Sequence, residues 1–284
     1  MVVDSPLITA EALWAALQAG ASIVIFDCSF DLAEKAAGLR AHEAARVPGA
    51  MHVDLDRDLS VAPSGSNGRH PLPDRAAFAA RLAALGARDD ALLVAYDASG
   101  GIYAARLWWM LRWAGHEQAA VLDGGLAAWR AAGAALASGP AATPTPGSFT
   151  LRRALVETLD YATLRAQLGA GRRLVVDARA PDRFRGENET LDPVGGHIPG
   201  AVNRSFRDNL AADGRFLPAA QLRDQWDAVR AGRDADDLVQ QCGSGVTACH
   251  NLLALEVVAL SGSRLYPGSW SEWCAQPDAP IAIG

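Results

Sequence analysis

The chain has 284 residues, half of them hydrophobic and a fifth charged, with a formal net charge of -6. This length is sufficient for two folded domains, and the composition excludes an extensively disordered protein. The negative charge argues against a surface that binds nucleic acid or anionic lipid. No basic N-terminal segment precedes an apolar run, and no apolar stretch is long enough to span a membrane. We therefore expect a cytoplasmic protein that does not contact a membrane.

Short apolar runs that end in a polar residue recur in the same order in both halves of the sequence. Four pairs of segments match: Ile23–Asp27 with Leu174–Asp177, residues 48–50 with 199–201, residues 92–97 with 238–242, and residues 121–129 with 265–273. Helical patterns such as residues 76–85 and 104–113 alternate with these runs, which predicts parallel strands joined by crossover helices. The sequence therefore predicts an α/β fold of two tandem domains, each a parallel sheet flanked by helices.

A segment rich in proline, glycine, serine and threonine separates the two halves. It covers residues 138–149 and reads SGPAATPTPGSF, a composition typical of an exposed linker. We predict an N-terminal domain at residues 1–137 and a C-terminal catalytic domain at residues 150–284. The N-terminal half has Asp97 where the other half has a cysteine, so we expect no nucleophile there.

The strongest candidate for chemistry is Cys242, which follows a predicted strand and precedes a glycine-containing loop and an apolar helix. Ligands of open parallel sheets bind beyond the carboxyl ends of the strands, where this cysteine is expected. The loop glycines allow successive backbone N–H groups to face an anion, and the helix N-terminus adds positive potential. Both effects lower the pKa of a thiol and favour the nucleophilic thiolate. The alternative, a buried structural cysteine, is our interpretation of Cys28, Cys249 and Cys274, with a redox role for Cys249 as a second option.

The loop from Cys242 to Ala248 (CGSGVTA) resembles that of the two-domain rhodanese family of sulfurtransferases, and specifically of its 3-mercaptopyruvate sulfurtransferases. The resemblance covers nearly the whole chain and includes residues 197–201 (HIPGA) and 268–273 (GSWSEW). Thiosulfate-using members carry charged residues where this chain has Gly243 and Ser244. The resemblance implies that Cys242 carries sulfur as a persulfide. The donor would be 3-mercaptopyruvate or, alternatively, thiosulfate, and the acceptor cyanide or a thiol.

The resemblance also implies which residues assist the cysteine. Ser244, His70 and Asp56 match a Ser-His-Asp set that would move a proton, and the last two come from the first half, which would place the site between the domains. A loop position for His70 and a turn or N-cap position for Asp56 are the structural alternatives. The backbone N–H groups that would stabilise the sulfur anion belong to residues 243–247, with Gly243, Gly245, Val246 and Thr247 as the substrate-binding positions.

The donor's carboxylate is held in the family by two arginines, of which Arg183 matches one. The other is absent, because residues 187–196 read ENETLDPVGG. Arg185 or Arg179 is the expected substitute, although Arg179 could instead form a structural ion pair with Asp177. Solvated surface arginines are the alternative for all three.

No metal-ligand spacing and no nucleotide-binding glycine motif is visible, so we expect neither a metal nor an organic cofactor. The expected partners are a small-molecule sulfur donor and a thiol acceptor such as thioredoxin, and the family resemblance implies a monomer. A cysteine phosphatase would need an arginine six residues after Cys242, where this chain has Ala248. A non-catalytic sulfur carrier or binding module stays as an alternative that the reactivity of the thiol would test.

Overall fold

The structure is a computed structural model that describes residues 5–140 and 143–284, and it divides into two compact units. The first unit comprises the described residues of Met1–Ser60, Pro73–Leu155 and Ala212–Phe216, and the second comprises Val61–Leu72, Val156–Ala211 and Leu217–Gly284. Residues 61–72 thus belong with the second half of the chain, which the linear repeat does not predict. Of the linker predicted at residues 138–149, residues 141–142 lie outside the described residues, and the others are counted with the first unit.

A five-stranded parallel sheet forms the centre of the first unit. Its strands are β1 (Leu7–Ile8), β2 (Ile23–Asp27), β3 (Met51–His52), β4 (Leu92–Tyr96) and β5 (Ala119–Leu122), in the spatial order β1-β5-β4-β2-β3. Its helices are α1 (Ala10–Gln18), α2 (Ala37–Ala44), α3 (Leu55–Asp58), α4 (Arg75–Ala84), α5 (Ile102–Trp113) and α6 (Gly125–Ala131). Every residue of β4 is buried, because a central parallel strand is covered on both faces.

The second unit repeats this plan with a four-stranded parallel sheet. Its strands are β6 (Leu174–Asp177), β7 (Val202–Asn203), β8 (Leu238–Gln241) and β9 (Arg264–Leu265), in the order β7-β6-β8-β9. Its helices are α7 (Tyr161–Gln167), α8 (Pro181–Arg185), α9 (Ala219–Arg230), α10 (Thr247–Val257) and α11 (Ser269–Trp273), with 3₁₀ turns at Phe206–Asn209 and Ala235–Asp237. The predicted α/β fold of two parallel sheets flanked by helices is confirmed.

Aromatic side chains contribute much of the buried core in both units. Trp129 packs with Leu13 and Val94 in the first unit, and Trp270 and Trp273 pack with aliphatic residues in the second. Burying a large aromatic side chain removes an extensive apolar surface from water, which favours the folded state. These tryptophans therefore stabilise the core of each unit.

Asp97 and Cys242 occupy equivalent places in the two units. Asp97 directly follows β4 and precedes α5, and Cys242 directly follows β8 and precedes α10. Both strands are central in their sheets, so each residue lies at the carboxyl edge, where parallel sheets bind ligands. The repeat read from the sequence therefore extends to the position of the candidate nucleophile.

Candidate active site

Cys242 lies at the base of a short loop whose backbone N–H groups face its sulfur. The side chain is buried, and Sγ accepts hydrogen bonds from the N–H of Gly245 at 3.2 Å and of Ser244 at 3.5 Å. Gly245 has φ +76°, and a Cβ there would lie 2.3 Å from the carbonyl oxygen of Pro267. Only glycine fits this position, since both the conformation and the space exclude a side chain. Of the N–H groups predicted to form a cradle, those of residues 243–247, the groups of Ser244 and Gly245 therefore face Sγ.

The segment that follows β9 holds this loop from the other side. The N–H of Cys242 donates to Ser269 Oγ at 3.1 Å, and the carbonyl of Cys242 accepts from the N–H of Trp270 at 2.9 Å. Ser271 donates its N–H to the carbonyl of Gly243 at 3.0 Å. Ser269 has φ +54°, an uncommon conformation for a residue with a side chain, and such conformations persist where the surroundings enforce them. The GSWSEW motif therefore fixes the cysteine loop.

The other three cysteines lack this setting. Burial raises the pKa of the Cys28 thiol well above its usual value, and it raises the pKa of Cys274 to about 11. Cys249 is buried in α10 and donates its S–H to the carbonyl of Gly245 at 3.4 Å. The environments of Cys28 and Cys274 favour the protonated thiol, which agrees with a structural role for these two residues.

His70 reaches the cysteine loop of the second unit although it belongs to the first half of the sequence. Its Nδ1 lies 2.8 Å from Ser244 Oγ, and both side chains are buried. The segment 61–72 is fixed there by the hydrogen bond from the N–H of Arg69 to Ser271 Oγ at 3.0 Å. It also approaches closely at Gly68, where a Cβ would lie 2.8 Å from the carbonyl oxygen of Gly268. The structure thus brings together His70 and Ser244, the two residues that the resemblance paired.

Asp56, the third member of the predicted set, lies in α3 of the first unit. Its carboxylate pairs with Lys35 Nζ at 2.6 Å. The N-cap of α3 is Asp54, whose side chain accepts the N–H groups of Asp56 and Arg57, so the N-cap alternative for Asp56 does not hold. Its contribution to proton transfer stays a prediction.

The three candidate arginines have different surroundings. Arg179 is buried, binds the carboxylate of Asp177 through Nε and Nη2, and stacks over the ring of Trp270 at 4.8 Å. Arg185 is largely exposed and pairs with Glu187. Arg183 lies beside the cysteine loop, where its guanidinium nitrogens would be 3.4 and 3.5 Å from a Cβ on Gly243. The structural alternative therefore fits Arg179, and Arg183 is the candidate next to the nucleophile.

A fourth arginine lies in the same place and was missed by sequence reasoning. Arg69 Nη2 would be 2.8 Å from a Cβ on Gly243, so its guanidinium faces the same loop residue as that of Arg183. Arg69 Nη1 pairs with the carboxylate of Asp192, and Arg183 pairs with Glu189. The only signal in the sequence was its position directly before His70.

The carboxylate of Glu189 is charged in this arrangement. Burial by itself raises the pKa of this group, but the N–H of Leu191 and the guanidinium of Arg183 outweigh it, so that the pKa is lower than usual. Glu189 and Asp192 both belong to the segment in which the family's second arginine is absent.

The loop after β4 in the first unit forms a similar cradle with a different occupant. The Asp97 carboxylate accepts the N–H groups of Ser99, Gly101, Tyr103 and Ala104 at 2.7 to 3.0 Å. Burial raises the pKa of Asp97, although these hydrogen bonds oppose the shift. This loop therefore binds the carboxylate of its own Asp97 at the place in the chain that Cys242 has in the second unit.

In the described part of the chain, no cluster of His, Cys, Asp and Glu side chains has the arrangement of a metal site. Among the helices of residues 5–140 and 143–284, none combines the length and the apolar character needed to cross a membrane.

Comparison with known proteins agrees with this geometry. The family described as "Rhodanese-like domain" matches residues 9–132 and 160–276. The chain is 49% identical to the "Probable 3-mercaptopyruvate sulfurtransferase" of Pseudomonas aeruginosa, over 99% of each protein. It is 36% identical to the "Thiosulfate sulfurtransferase" of Bos taurus, over 84% of this chain and 81% of that protein. The solved structure of "3-mercaptopyruvate sulfurtransferase from Leishmania major" matches with a TM-score of 0.84 and 30% identity, covering 98% of this chain and 76% of that chain.

Proposed function

The chain belongs to the rhodanese-like family, of which it carries two tandem copies, and we propose that it is a sulfurtransferase that uses 3-mercaptopyruvate through a Cys242 persulfide. The observation that carries the proposal is the cradle of two N–H groups around Sγ, next to the 2.8 Å contact between His70 and Ser244. Cys242 is the nucleophile, and the N–H groups of residues 243–247 stabilise the sulfur anion.

The first half-reaction forms the persulfide. The Cys242 thiolate attacks the sulfur of 3-mercaptopyruvate, an S–S bond forms, and the C–S bond breaks with its electron pair on carbon. The resulting enolate takes up a proton and leaves as pyruvate. The outer sulfur of the persulfide releases one proton as it ionises, so donor and products balance without an external acid.

Ser244 and His70 are suited to transfer that proton. The Ser244 hydroxyl lies one residue from Gly243 and at hydrogen-bond distance from His70 Nδ1, so a proton can pass from the imidazole through the hydroxyl to the enolate. Asp56 is proposed to assist His70. Arg183 is proposed to hold the donor's carboxylate, because guanidinium groups bind carboxylates through two parallel hydrogen bonds.

The second half-reaction regenerates the thiolate. An acceptor attacks the outer sulfur of the persulfide, and the S–S electron pair returns to Cys242 as thiolate. Cyanide gives thiocyanate in this step, and a thiol gives a new persulfide. We propose a thiol such as thioredoxin as the acceptor in the cell.

Three further proposals concern the whole chain. The four cysteines are free, which is typical of the reducing cytoplasm, where we place the protein. We also propose a monomer. The domain boundaries at residues 137 and 150, on either side of the linker, stay our proposal from the composition of the sequence.

The decisive test is steady-state thiocyanate formation from cyanide with each donor, 3-mercaptopyruvate or thiosulfate, in parallel. We expect a higher kcat/KM with 3-mercaptopyruvate, because the loop around Cys242 is neutral and an arginine lies beside it. A higher value with thiosulfate would make the protein a thiosulfate sulfurtransferase, the activity in the name of its bovine relative.

The nucleophile is tested by Cys242→Ser, with Cys274→Ser as the matched control. We expect the first variant to lose all turnover with a native circular dichroism spectrum, and the control to keep it. Turnover by the Cys242→Ser variant would refute the persulfide mechanism, and no turnover by the wild type with either donor would favour a binding module.

A further inference from the structure

Two guanidinium groups meet over one glycine of the cysteine loop. Arg69 comes from the segment that carries His70, and Arg183 comes from α8. A Cβ on Gly243 would contact both, at 2.8 Å from Arg69 Nη2 and 3.4 Å from Arg183 Nη2. Gly243 adjoins Cys242 in the chain, so both guanidinium groups lie beside the loop that carries the reacting sulfur.

Two buried carboxylates hold these guanidinium groups beside the loop. Glu189 binds Arg183 through Nε at 3.1 Å and Nη2 at 2.8 Å, and Asp192 binds Arg69 through Nη1. The acid side chains are 4% and 3% exposed, whereas the arginine side chains are 20% and 28% exposed. The acids are therefore buried, and among the described residues neither Arg69 Nη2 nor Arg183 Nη1 pairs with a carboxylate, which leaves both nitrogens suited to bind a small anion.

We propose that Arg69 is the second anion-binding arginine of this site, and that Asp192 is the residue that positions it. The segment from residue 187 to 196 contains no arginine, and its Asp192 side chain pairs with Arg69 instead. That acid recruits Arg69 from the His70 segment. Arg69 and Arg183 together bind the donor's carboxylate next to Cys242.

Gly243 is part of this arrangement because it leaves room for the guanidinium groups. A side chain at this position would occupy the space of Arg69 Nη2, because an added Cβ would lie 2.8 Å from that nitrogen. In this chain the positive charge comes from the guanidinium groups of residues outside the loop, and the planar arrangement of their N–H groups matches the geometry of a carboxylate. The donor preference therefore depends on Arg69 together with Gly243.

The identity of the anion as the carboxylate of 3-mercaptopyruvate rests on the proposed function, whereas the anion site itself does not. A suitable probe is the pair iodoacetate and iodoacetamide, which alkylate the same sulfur and differ in a carboxylate and a neutral amide. The ratio of their rates at Cys242, followed by mass spectrometry of the peptide, measures the anion site without any turnover.

The variants are Arg69→Gln, Arg69→Lys and Asp192→Asn, with Arg165→Gln as the control. Arg165 is an exposed arginine of the second unit, on α7, so its replacement removes the same charge at a surface position. We expect Arg69→Gln to lower the iodoacetate-to-iodoacetamide ratio and to raise KM for 3-mercaptopyruvate, each about tenfold to a hundredfold. Arg69→Lys is expected to restore part of the ratio, and Asp192→Asn to lower it less than Arg69→Gln.

The alkylation ratio decides the proposal. A ratio in Arg69→Gln that equals that of the Arg165→Gln control would overturn it, whatever the kinetics. A lowered ratio supports it even if 3-mercaptopyruvate is not turned over by the wild type, in which case only the proposed function fails. If Arg69→Gln does not fold, the iodoacetate-to-iodoacetamide ratios of Arg69→Lys and Asp192→Asn take its place. Ratios equal to that of Arg165→Gln would overturn the proposal, and lowered ratios support it.

Discussion

Replacing Gly245 with alanine tests whether the shape of the cysteine loop, and not only its sulfur, is needed for turnover. The residue has φ +76°, and an added Cβ would lie 2.3 Å from the carbonyl oxygen of Pro267 and 3.1 Å from its Cα. An alanine in the left-handed region costs about 1–2 kcal/mol, and overpacking against backbone adds about 1–3 kcal/mol. We therefore expect Gly245→Ala to lower the free energy of unfolding by about 2–5 kcal/mol.

The same change displaces the N–H group that lies 3.2 Å from Cys242 Sγ. Removing one preorganised donor from an anion site lowers kcat about a hundredfold to a thousandfold. The assay is thiocyanate formation from 3-mercaptopyruvate and cyanide, together with calorimetric unfolding of each variant.

Gly243→Ala is the matched control, because it adds the same methyl group to the same loop. The residue does not have a left-handed φ, and its new neighbours would be the ends of Arg69 and Arg183, which can move. We expect Gly243→Ala to keep the stability of the wild type and to raise KM. A Gly245→Ala variant with kcat within about threefold of the wild type would refute the role of the cradle.

Three other predictions concern single side chains. Ser244→Ala should lower kcat with 3-mercaptopyruvate about tenfold to a hundredfold and leave thiosulfate turnover unchanged. The reason is that only 3-mercaptopyruvate yields an enolate that needs a proton. Equal losses of kcat with both donors would contradict proton transfer through Ser244. With a pKa of about 11, only about one thousandth of Cys274 is thiolate at pH 8. We therefore expect iodoacetamide to label Cys274 slowly, and rapid labelling would contradict the raised pKa. Burial raises the pKa of Asp58, but Arg57, the N–H of Asp54 and Arg81 lower it overall. The charged Asp58 carboxylate therefore stabilises the protein at pH values above 3.8, its ordinary pKa, and this stabilisation is lost as the pH falls through the lower pKa of the folded state. In urea unfolding we expect the difference in free energy of unfolding between the wild type and Asp58→Asn to shrink in acid.

The sequence was sufficient for the fold because the strands carry their own signal. The runs at residues 23–27 and 174–177 coincide with β2 and β6, since buried parallel strands must be short, apolar and β-branched. The same pattern located Cys242 at the end of β8. The resemblance of the loop then suggested Ser244, and the chemistry of a glycine-containing loop suggested the N–H groups around Sγ.

The arginine pair could not be predicted in this way, because it depends on where an irregular segment runs. Residues 61–72 contain glycine, serine and proline without hydrophobic periodicity, so nothing local indicates that they pack in the second unit. Their path is fixed by contacts distant in sequence, such as the N–H of Arg69 with Ser271 Oγ. The absence of an arginine between residues 187 and 196 was visible, but its replacement was not, because Asp192 and Arg69 are 123 positions apart.

The two loops of the chain indicate what a persulfide in the cradle requires. In the first unit, one oxygen of Asp97 accepts the N–H groups of Ser99 and Gly101, and the other accepts those of Tyr103 and Ala104 at the start of α5. In the second unit, Sγ of Cys242 accepts the N–H groups of Ser244 and Gly245, which belong to the loop before α10, as the first oxygen of Asp97 accepts N–H groups of the loop before α5. A persulfide adds one further acceptor atom, so we expect its outer sulfur to lie toward the start of α10, where the second oxygen lies in the other loop. The two oxygens of Asp97 accept four N–H groups, whereas Cys242 has a single acceptor atom until it carries the sulfur that it transfers.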